Sequence, residues 1–162
     1  MRSFFKTNRT LSSRRKALLT DFQKRIGVKF KDLHLLDTAF YHRSFANETA
    51  GTAENNERLE FLGDAVLGIT AASYLYETLN DAPEGELTKI KSFVVSETSL
   101  SEIALDIGIE QCLCLGKGEE HSGGRSKKAI LADTTEAVFG ALYLDSGFKT
   151  AEKLILNLLV PQ

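Results

Sequence analysis

Cysteines and long apolar runs are both scarce in this 162-residue sequence, and each scarcity argues against a class of protein. The only cysteines are Cys112 and Cys114, so a disulfide framework or a four-ligand zinc site is disfavoured and a reducing, cytoplasmic setting is favoured. No apolar run approaches the roughly 18 residues that a membrane-spanning helix needs. Hydrophobic residues make up 43% of the chain and charged residues 26%, which is typical of one soluble domain with its own core.

Acidic residues are almost missing from the first 31 positions, which hold ten Lys/Arg against Asp21 alone for a charge of +9. The rest of the chain holds ten Lys/Arg against 21 Asp/Glu, for a charge of −11. The basic tract at residues 1–16 fits a solvated tail, an arm that contacts nucleic acid, or an organelle transit peptide. The pattern leaves all three interpretations open.

Strand-like alternation is also missing, whereas helical spacing of apolar residues recurs along the whole chain. The spacing predicts helices over 14–26, 32–43, about 55–80, 86–95, 97–107, 127–145 and 148–159. Polar residues at 44–55 and the glycine-rich stretch at 116–126 are predicted to be loops. We therefore expect an all-α fold, with a basic tail over 1–16 and one folded domain over 17–160.

The predicted long helix begins with NNERLEFLGDAVLG and places its charges on one side. At about 100° per residue, Glu60 and Asp64 lie close to Glu57, and the apolar residues Leu59, Leu62, Val66 and Ile69 lie on the opposite side. The acidic side continues with small residues, Gly68, Ala71 and Ala72, where a solvated face would carry Lys, Glu or Gln. Small residues at this spacing predict that a second backbone packs close to the helix.

A matching face recurs in ILADTTEAVFGALYL, where Asp133 and Glu136 are followed by Ala137 and Gly140. If the two helices pack along these faces, four carboxylates converge, and raised pKa values or bound cations must relieve their repulsion. Oxygen donors without His or Cys select Mg²⁺, with Mn²⁺ as a substitute, and a carboxylate-held Mg²⁺ indicates phosphodiester hydrolysis. The alternative, that the acids cap helices or pair with Arg58, Lys89 or Lys91, stays open.

Histidine chemistry is not indicated, because His34, His42 and His121 have no Ser or Cys partner in a recognisable motif. His42, in YHRSFANE, is interpreted as a structural contact.

The segment NERLEFLGDAVL resembles the signature of ribonuclease III endonucleases. Three further blocks agree with that family in order and spacing: FYHRSFANE, EGELTKIKSFVVSETSL and LGKGEEHSGGRSKKAILADTTEAVFGALYLDSG. The resemblance covers about residues 20 to 155. It implies an all-helical, homodimeric, Mg²⁺-dependent nuclease domain over 17–160 that cuts double-stranded RNA during rRNA and mRNA processing. The implied products carry 5′-phosphate and 3′-hydroxyl ends with short 3′ overhangs.

The resemblance also assigns roles to residues. It implies that Glu60, Asp64, Asp133 and Glu136 are metal ligands, with Asp64 and Glu136 most critical for the chemistry, and that Glu57 helps to order the site. It implies that Phe61 plugs a socket on the partner subunit; burial of the ring within its own subunit remains the alternative. The RNA contacts that it suggests are Glu84, Thr88, Lys91, Lys127 and Lys128, and Glu84 equally fits an acid that favours a helix N-terminus.

The sequence departs from the bacterial pattern after residue 160, since it leaves no room for a double-stranded-RNA-binding domain. It therefore fits either a fragment or a protein that works without its own binding module. All the expected acids are present, which favours an active enzyme. The competing interpretation is a catalytically silent RNA-binding or ribosome-associated domain of the same fold.

Overall fold

The structure is a computed structural model that describes residues 10–49 and 54–160. Its ten α-helices are α1 (Ser13–Ile26), α2 (Leu33–Ala39), α3 (Arg43–Glu48), α4 (Glu57–Thr78), α5 (Glu84–Val94), α6 (Glu97–Asp106), α7 (Ile109–Cys112), α8 (Lys117–His121), α9 (Lys128–Ser146) and α10 (Phe148–Leu159). A 3₁₀ turn at Gly124–Ser126 precedes α9. The described residues contain no strand beyond an isolated bridge between Tyr41 and Cys114, so the predicted all-α fold is confirmed.

The long helices follow the sequence pattern, whereas the short ones were missed. Both stretches predicted to be loops contain helical residues: α3 begins at Arg43 and continues to Glu48 inside the stretch 44–55, and α8 and the 3₁₀ turn lie within 116–126. The prediction of loops there was wrong because side chains far apart in sequence hold these short helices. Ser44 Oγ accepts a hydrogen bond from the Gly116 N–H at 2.9 Å, and Glu48 Oε2 accepts one from the Lys117 N–H at 2.8 Å.

Helix α9 is the centre of the core, with α2, α4, α6 and α10 packed around it. Its buried face includes Leu131, Val138, Phe139 and Leu142, each at most 1% exposed. Burying large apolar side chains on all sides of one helix supplies most of the free energy of folding in a domain of this kind.

Helix α1 joins the core through a buried ion pair. Arg15 Nε donates to Asp37 Oδ1 at 2.5 Å, and Arg15 Nη1 donates to the Cys112 carbonyl at 2.7 Å. Tyr41 donates its hydroxyl proton to the other oxygen of Asp37. Residues 13–16 of the predicted tail over 1–16 are thus part of α1, in agreement with the helix predicted over 14–26, and residues 1–9 of that tail lie outside the described residues.

Across the part of the chain that the structure describes, no helix has both the length and the apolar character needed to cross a bilayer.

Candidate active site

Helices α4 and α9 cross in backbone contact at two glycines. A Cβ on Gly63 would lie 1.8 Å from the carbonyl oxygen of Glu136, and a Cβ on Gly140 would lie 2.2 Å from the carbonyl oxygen of Leu59. Only glycine is tolerated at such distances, because any side chain would overlap the facing backbone. The two acidic helices are therefore held at the closest approach that helices can make.

The predicted packing of small residues was right for Gly140 and wrong for Gly68. A Cβ on Gly68 would meet no atom within 4 Å, whereas the contact runs through Gly63, which lies between the acidic and apolar sides of α4. Ile69, predicted to be in the core, is 53% exposed. The helix is therefore rotated relative to the predicted contact, and a strip beside the acids faces outward.

The glycine crossing places all four predicted carboxylates close enough for their charges to act on one another. Burial, followed by the charges of Asp64, Glu60 and Asp133, raises the pKa of Glu136 to about 8. Burial and then the charge of Asp133, with smaller contributions from Glu57 and Asp64, raise the pKa of Glu60. Burial and then the charge of Glu97 raise the pKa of Asp133. The three raised values have one cause, because carboxylates are partly removed from water beside like charges.

Within the described parts of the chain, these four carboxylates lack an ion-pair partner. Among the described residues, none of Glu60, Asp64, Asp133 and Glu136 accepts a hydrogen bond or forms an ion pair. The open alternative of pairing with Arg58, Lys89 or Lys91 is therefore not what the structure shows. Oxygen donors without an ion-pair partner, on helices held in contact, have the chemistry that Mg²⁺ and Mn²⁺ prefer. As the side chains are oriented, however, no three His, Cys, Asp or Glu residues within 10–49 and 54–160 form a set that would hold one ion.

An open cavity of about 560 Å³ adjoins this cluster. Its acidic lining comes from Glu57, Glu60, Glu119 and Asp133, whereas Asp64 and Glu136 are not among the lining residues. Glu57 is the first residue of α4 and accepts a hydrogen bond from Asn55 Nδ2 at 3.1 Å. The cavity therefore reaches Glu60 and Asp133 of the carboxylate cluster, and Asp64 is exposed outside it.

Sequence reasoning missed most of the remaining lining. It consists of His42, Arg43, Asn56, Glu119, Lys127, Ala129 and Ile130. Lys127 had been predicted as an RNA contact, and its Nζ donates to Glu119 Oε1 at 2.6 Å and to Ser122 Oγ at 3.1 Å. Because of that hydrogen bond to Lys127, the pKa of Glu119 lies below its usual value. The block FYHRSFANE was the part of the sequence that could have indicated His42 and Arg43. Its position in the fold depends on hydrogen bonds from Ser44 and Glu48 to residues about 70 positions later.

The other predicted RNA contacts lie apart from the cavity lining. Glu84 begins α5, and its Oε1 accepts a hydrogen bond from Thr88 Oγ1 at 2.7 Å. Lys91 lies in the last turn of the same helix, and Lys128 is the exposed first residue of α9. The structure therefore brings Lys127 to the carboxylates and leaves the remaining four candidates on outer surfaces.

Phe61 is 81% exposed and lies on an apolar strip of α4. Ile69 and Tyr76 continue the strip, at 53% and 74% exposed, with the exposed Ala65 between them and Phe61. These positions fall within about 80° of one another around the helix. Burial of the Phe61 ring within its own chain is therefore excluded.

Comparisons with known proteins agree with this geometry. The family model described as Ribonuclease-III-like matches residues 32–162. The chain is 62% identical over 149 residues to Ribonuclease 3 of Treponema denticola, covering 92% of this chain and 61% of that protein. It is 53% identical over 161 residues to Ribonuclease 3 of Treponema pallidum, covering 98% of this chain and 63% of that protein. The chain thus spans about three fifths of the length of these relatives.

Solved structures show the same fold. The nuclease domain of ribonuclease III from Campylobacter jejuni, for which a region involved in dimer formation is described, is 36% identical with a TM-score of 0.82. The match covers 87% of this chain and 95% of that domain. Dicer from Pichia stipitis is 28% identical with a TM-score of 0.60, and the match covers 81% of this chain and 55% of that protein.

Proposed function

The chain belongs to the Ribonuclease-III-like family, and from this premise we propose that it is the catalytic part of a metal-dependent endoribonuclease that hydrolyses double-stranded RNA. The observation that carries the proposal is the set of four carboxylates that have no ion-pair partner among the described residues, held together by the glycine crossing of α4 and α9. A folded protein keeps such a repulsive cluster at a cost in stability, which is typical of a functional site.

Glu60, Asp64, Asp133 and Glu136 would hold Mg²⁺, or Mn²⁺ in its place. A bound ion of this kind polarises a phosphoryl oxygen and lowers the pKa of an attacking water. The raised pKa of Glu136 means that this side chain is largely protonated near neutral pH until a cation displaces its proton. Asp64 and Glu136 would be the most critical for the chemistry, and Glu57, fixed by Asn55, would order the site from its rim.

Beside its acids, the cavity is lined by two cations, Arg43 and Lys127, and Lys127 is paired with Glu119. Arg43 and Lys127 would neutralise backbone phosphates that approach the cluster. Glu84, Thr88, Lys91 and Lys128 would meet a longer duplex outside the cavity. Products with 5′-phosphate and 3′-hydroxyl ends and short 3′ overhangs, a role in rRNA and mRNA processing, and a cytoplasmic location complete the proposal.

A homodimer would bury the apolar strip of α4 that includes Phe61. Burying a phenylalanine side chain contributes about 1.5–3 kcal/mol, so Phe61→Ala should weaken dimerisation by at least about tenfold. Leu105→Ala is the matched control, because Leu105 is 52% exposed but lies on α6, away from the strip. Sedimentation equilibrium of both variants tests the proposal, and a Phe61→Ala protein that dimerises like wild type contradicts it.

Cleavage itself is tested with a short RNA duplex, Mg²⁺ and a chelator control. Glu136→Ala and Asp64→Ala should abolish cutting without loss of helicity, whereas Glu77→Gln should cut normally, because Glu77 is an exposed acid near the other end of α4. Persistent Mg²⁺-dependent cutting by the two site variants would refute the residue assignment. Duplex binding by wild-type protein without any chelator-sensitive product would instead identify a catalytically silent RNA-binding domain.

A further inference from the structure

His42 lines the cavity, and one of its ring nitrogens, Nδ1, is engaged in the fold. The Ser44 N–H donates to His42 Nδ1 at 3.3 Å, and Ser44 Oγ lies 2.8 Å from the same nitrogen. Since Ser44 Oγ accepts the Gly116 N–H at 2.9 Å, its hydroxyl proton is free to donate to Nδ1. A backbone N–H can only donate, so Nδ1 is an acceptor and the imidazole proton is on Nε2.

The Nε2–H group has no hydrogen-bond partner among the residues that the structure describes. Within residues 10–49 and 54–160, no hydrogen bond to His42 Nε2 is formed, although Glu57 and Asp133 line the same cavity. Burial, together with the charge of Arg43, outweighs the nearby carboxylates and lowers the pKa of His42 below its usual value. His42 is therefore a neutral, half-buried donor whose orientation the Ser44 contact holds.

We infer that His42 contacts the substrate: its Nε2–H donates a hydrogen bond to an oxygen of the RNA backbone bound in the cavity. The inference rests on the proposed function, since it names a further contact of the same site. A cavity of about 560 Å³ admits part of a nucleotide, and Arg43, which forms no ion pair within residues 10–49 and 54–160, lines it beside His42 and can attract a backbone phosphate. Phosphate oxygens and 2′-hydroxyls both accept hydrogen bonds, so either oxygen satisfies the donor.

Two substitutions separate the donor from the structural role of His42. His42→Asn keeps a side-chain oxygen that caps α3 in the manner of Nδ1, but its amide does not reach the position of Nε2. His42→Gln places an amide N–H near the position of Nε2. Thermal unfolding and circular dichroism of both variants report whether the fold is intact.

The measurement is the Kd for a short RNA duplex in a chelating buffer, where no cutting occurs, followed by KM and kcat in Mg²⁺. We expect His42→Asn to raise Kd and KM by about 10- to 100-fold if the lost acceptor is a charged phosphate and by about 3- to 10-fold if it is a 2′-hydroxyl, and His42→Gln to remain within about twofold of wild type. Equal affinity of wild type and a folded His42→Asn protein would overturn the inference. A wild type that binds but never cuts, with affinity still lost in His42→Asn, would support the contact and refute the proposed activity.

Modified duplexes identify the accepting oxygen. Duplexes with single 2′-deoxy or phosphorothioate positions are compared on wild type and His42→Asn, as in a double-mutant cycle. At one RNA position the difference in Kd between wild type and His42→Asn should become smaller. If a 2′-deoxy position causes this, the acceptor is the 2′-hydroxyl, and if a phosphorothioate causes it, the acceptor is the phosphate. An effect that is the same on every modified duplex would show that His42 acts through a neighbouring carboxylate and would overturn the inference.

Discussion

Replacing Gly63 by alanine should separate the two helices that carry the carboxylates. The new Cβ would lie 1.8 Å from the carbonyl oxygen of Glu136, 2.5 Å from its carbonyl carbon and 3.0 Å from the Gly140 nitrogen. Non-bonded heavy atoms sit at about 3.5 Å, so α4 and α9 must move apart by roughly 1.5 Å. All three atoms belong to a helix backbone, and no flexible side chain can turn aside.

The cost should exceed that of ordinary overpacking. Extra methyl groups in a core destabilise by about 1–3 kcal/mol when side chains can adjust, and here the core around α9 must move with the helix. We therefore expect Gly63→Ala to lower the free energy of unfolding by at least about 3 kcal/mol. Urea unfolding followed by circular dichroism measures it.

Gly68 supplies the matched control on the same helix. A Cβ there meets no atom within 4 Å, so Gly68→Ala should stabilise the chain by about 0.5–1 kcal/mol through the higher helix propensity of alanine. The reasoning is refuted if Gly63→Ala unfolds at the wild-type urea concentration, or if the two alanine variants lose equal stability.

Three further predictions concern other buried groups. In a chelating buffer, the pKa of Glu136 is about 8 in the fold against about 4.5 when unfolded, so the unfolding free energy should fall as pH rises between these values; Glu136→Gln should flatten that slope and gain up to about 3 kcal/mol at pH 7. Asp37→Ala leaves the Arg15 guanidinium buried without its carboxylate and should cost about 3–5 kcal/mol in urea unfolding, and a loss below about 1 kcal/mol would contradict it. Burial raises the pKa of the Cys112 thiol to about 11, so a Cys114→Ser protein should take up iodoacetamide at pH 8 only after denaturation, as counted by mass spectrometry.

The sequence was sufficient for the long helices and the acidic faces because both depend on local spacing. Gly27, with φ of 67°, ends α1 where the pattern predicted, and Glu60 and Asp64 lie beside Asp133 and Glu136 as their helical positions required. Local spacing cannot say how far a helix is rotated against its neighbour. That rotation placed Gly63 at the contact and left Ile69 exposed.

The part of the cavity lining that contains His42 and Arg43 was not predictable for a different reason. Helices of six and five residues, such as α3 and α8, have little intrinsic stability and form where tertiary hydrogen bonds hold them. His42 looked like a structural residue in the sequence, and its Nδ1 does have a structural role. The availability of its Nε2 as a donor depends on the hydrogen bond between Ser44 and Gly116, which are 72 residues apart.

The glycine crossing links stability to cation binding. Backbone contact holds α4 against α9 whatever the charge state of the acids, so repulsion among Glu60, Asp64 and Glu136 cannot be relieved by separating the helices. It is relieved by protonation or by a cation, and a ligand that binds only the folded state stabilises it in proportion to the logarithm of its concentration. The glycine crossing therefore has two effects. It lowers the stability of the fold in the absence of metal, and it increases the stability that a bound divalent cation adds. In Gly63→Ala, where the helices are parted, the stabilisation by Mg²⁺ should shrink along with the stability itself.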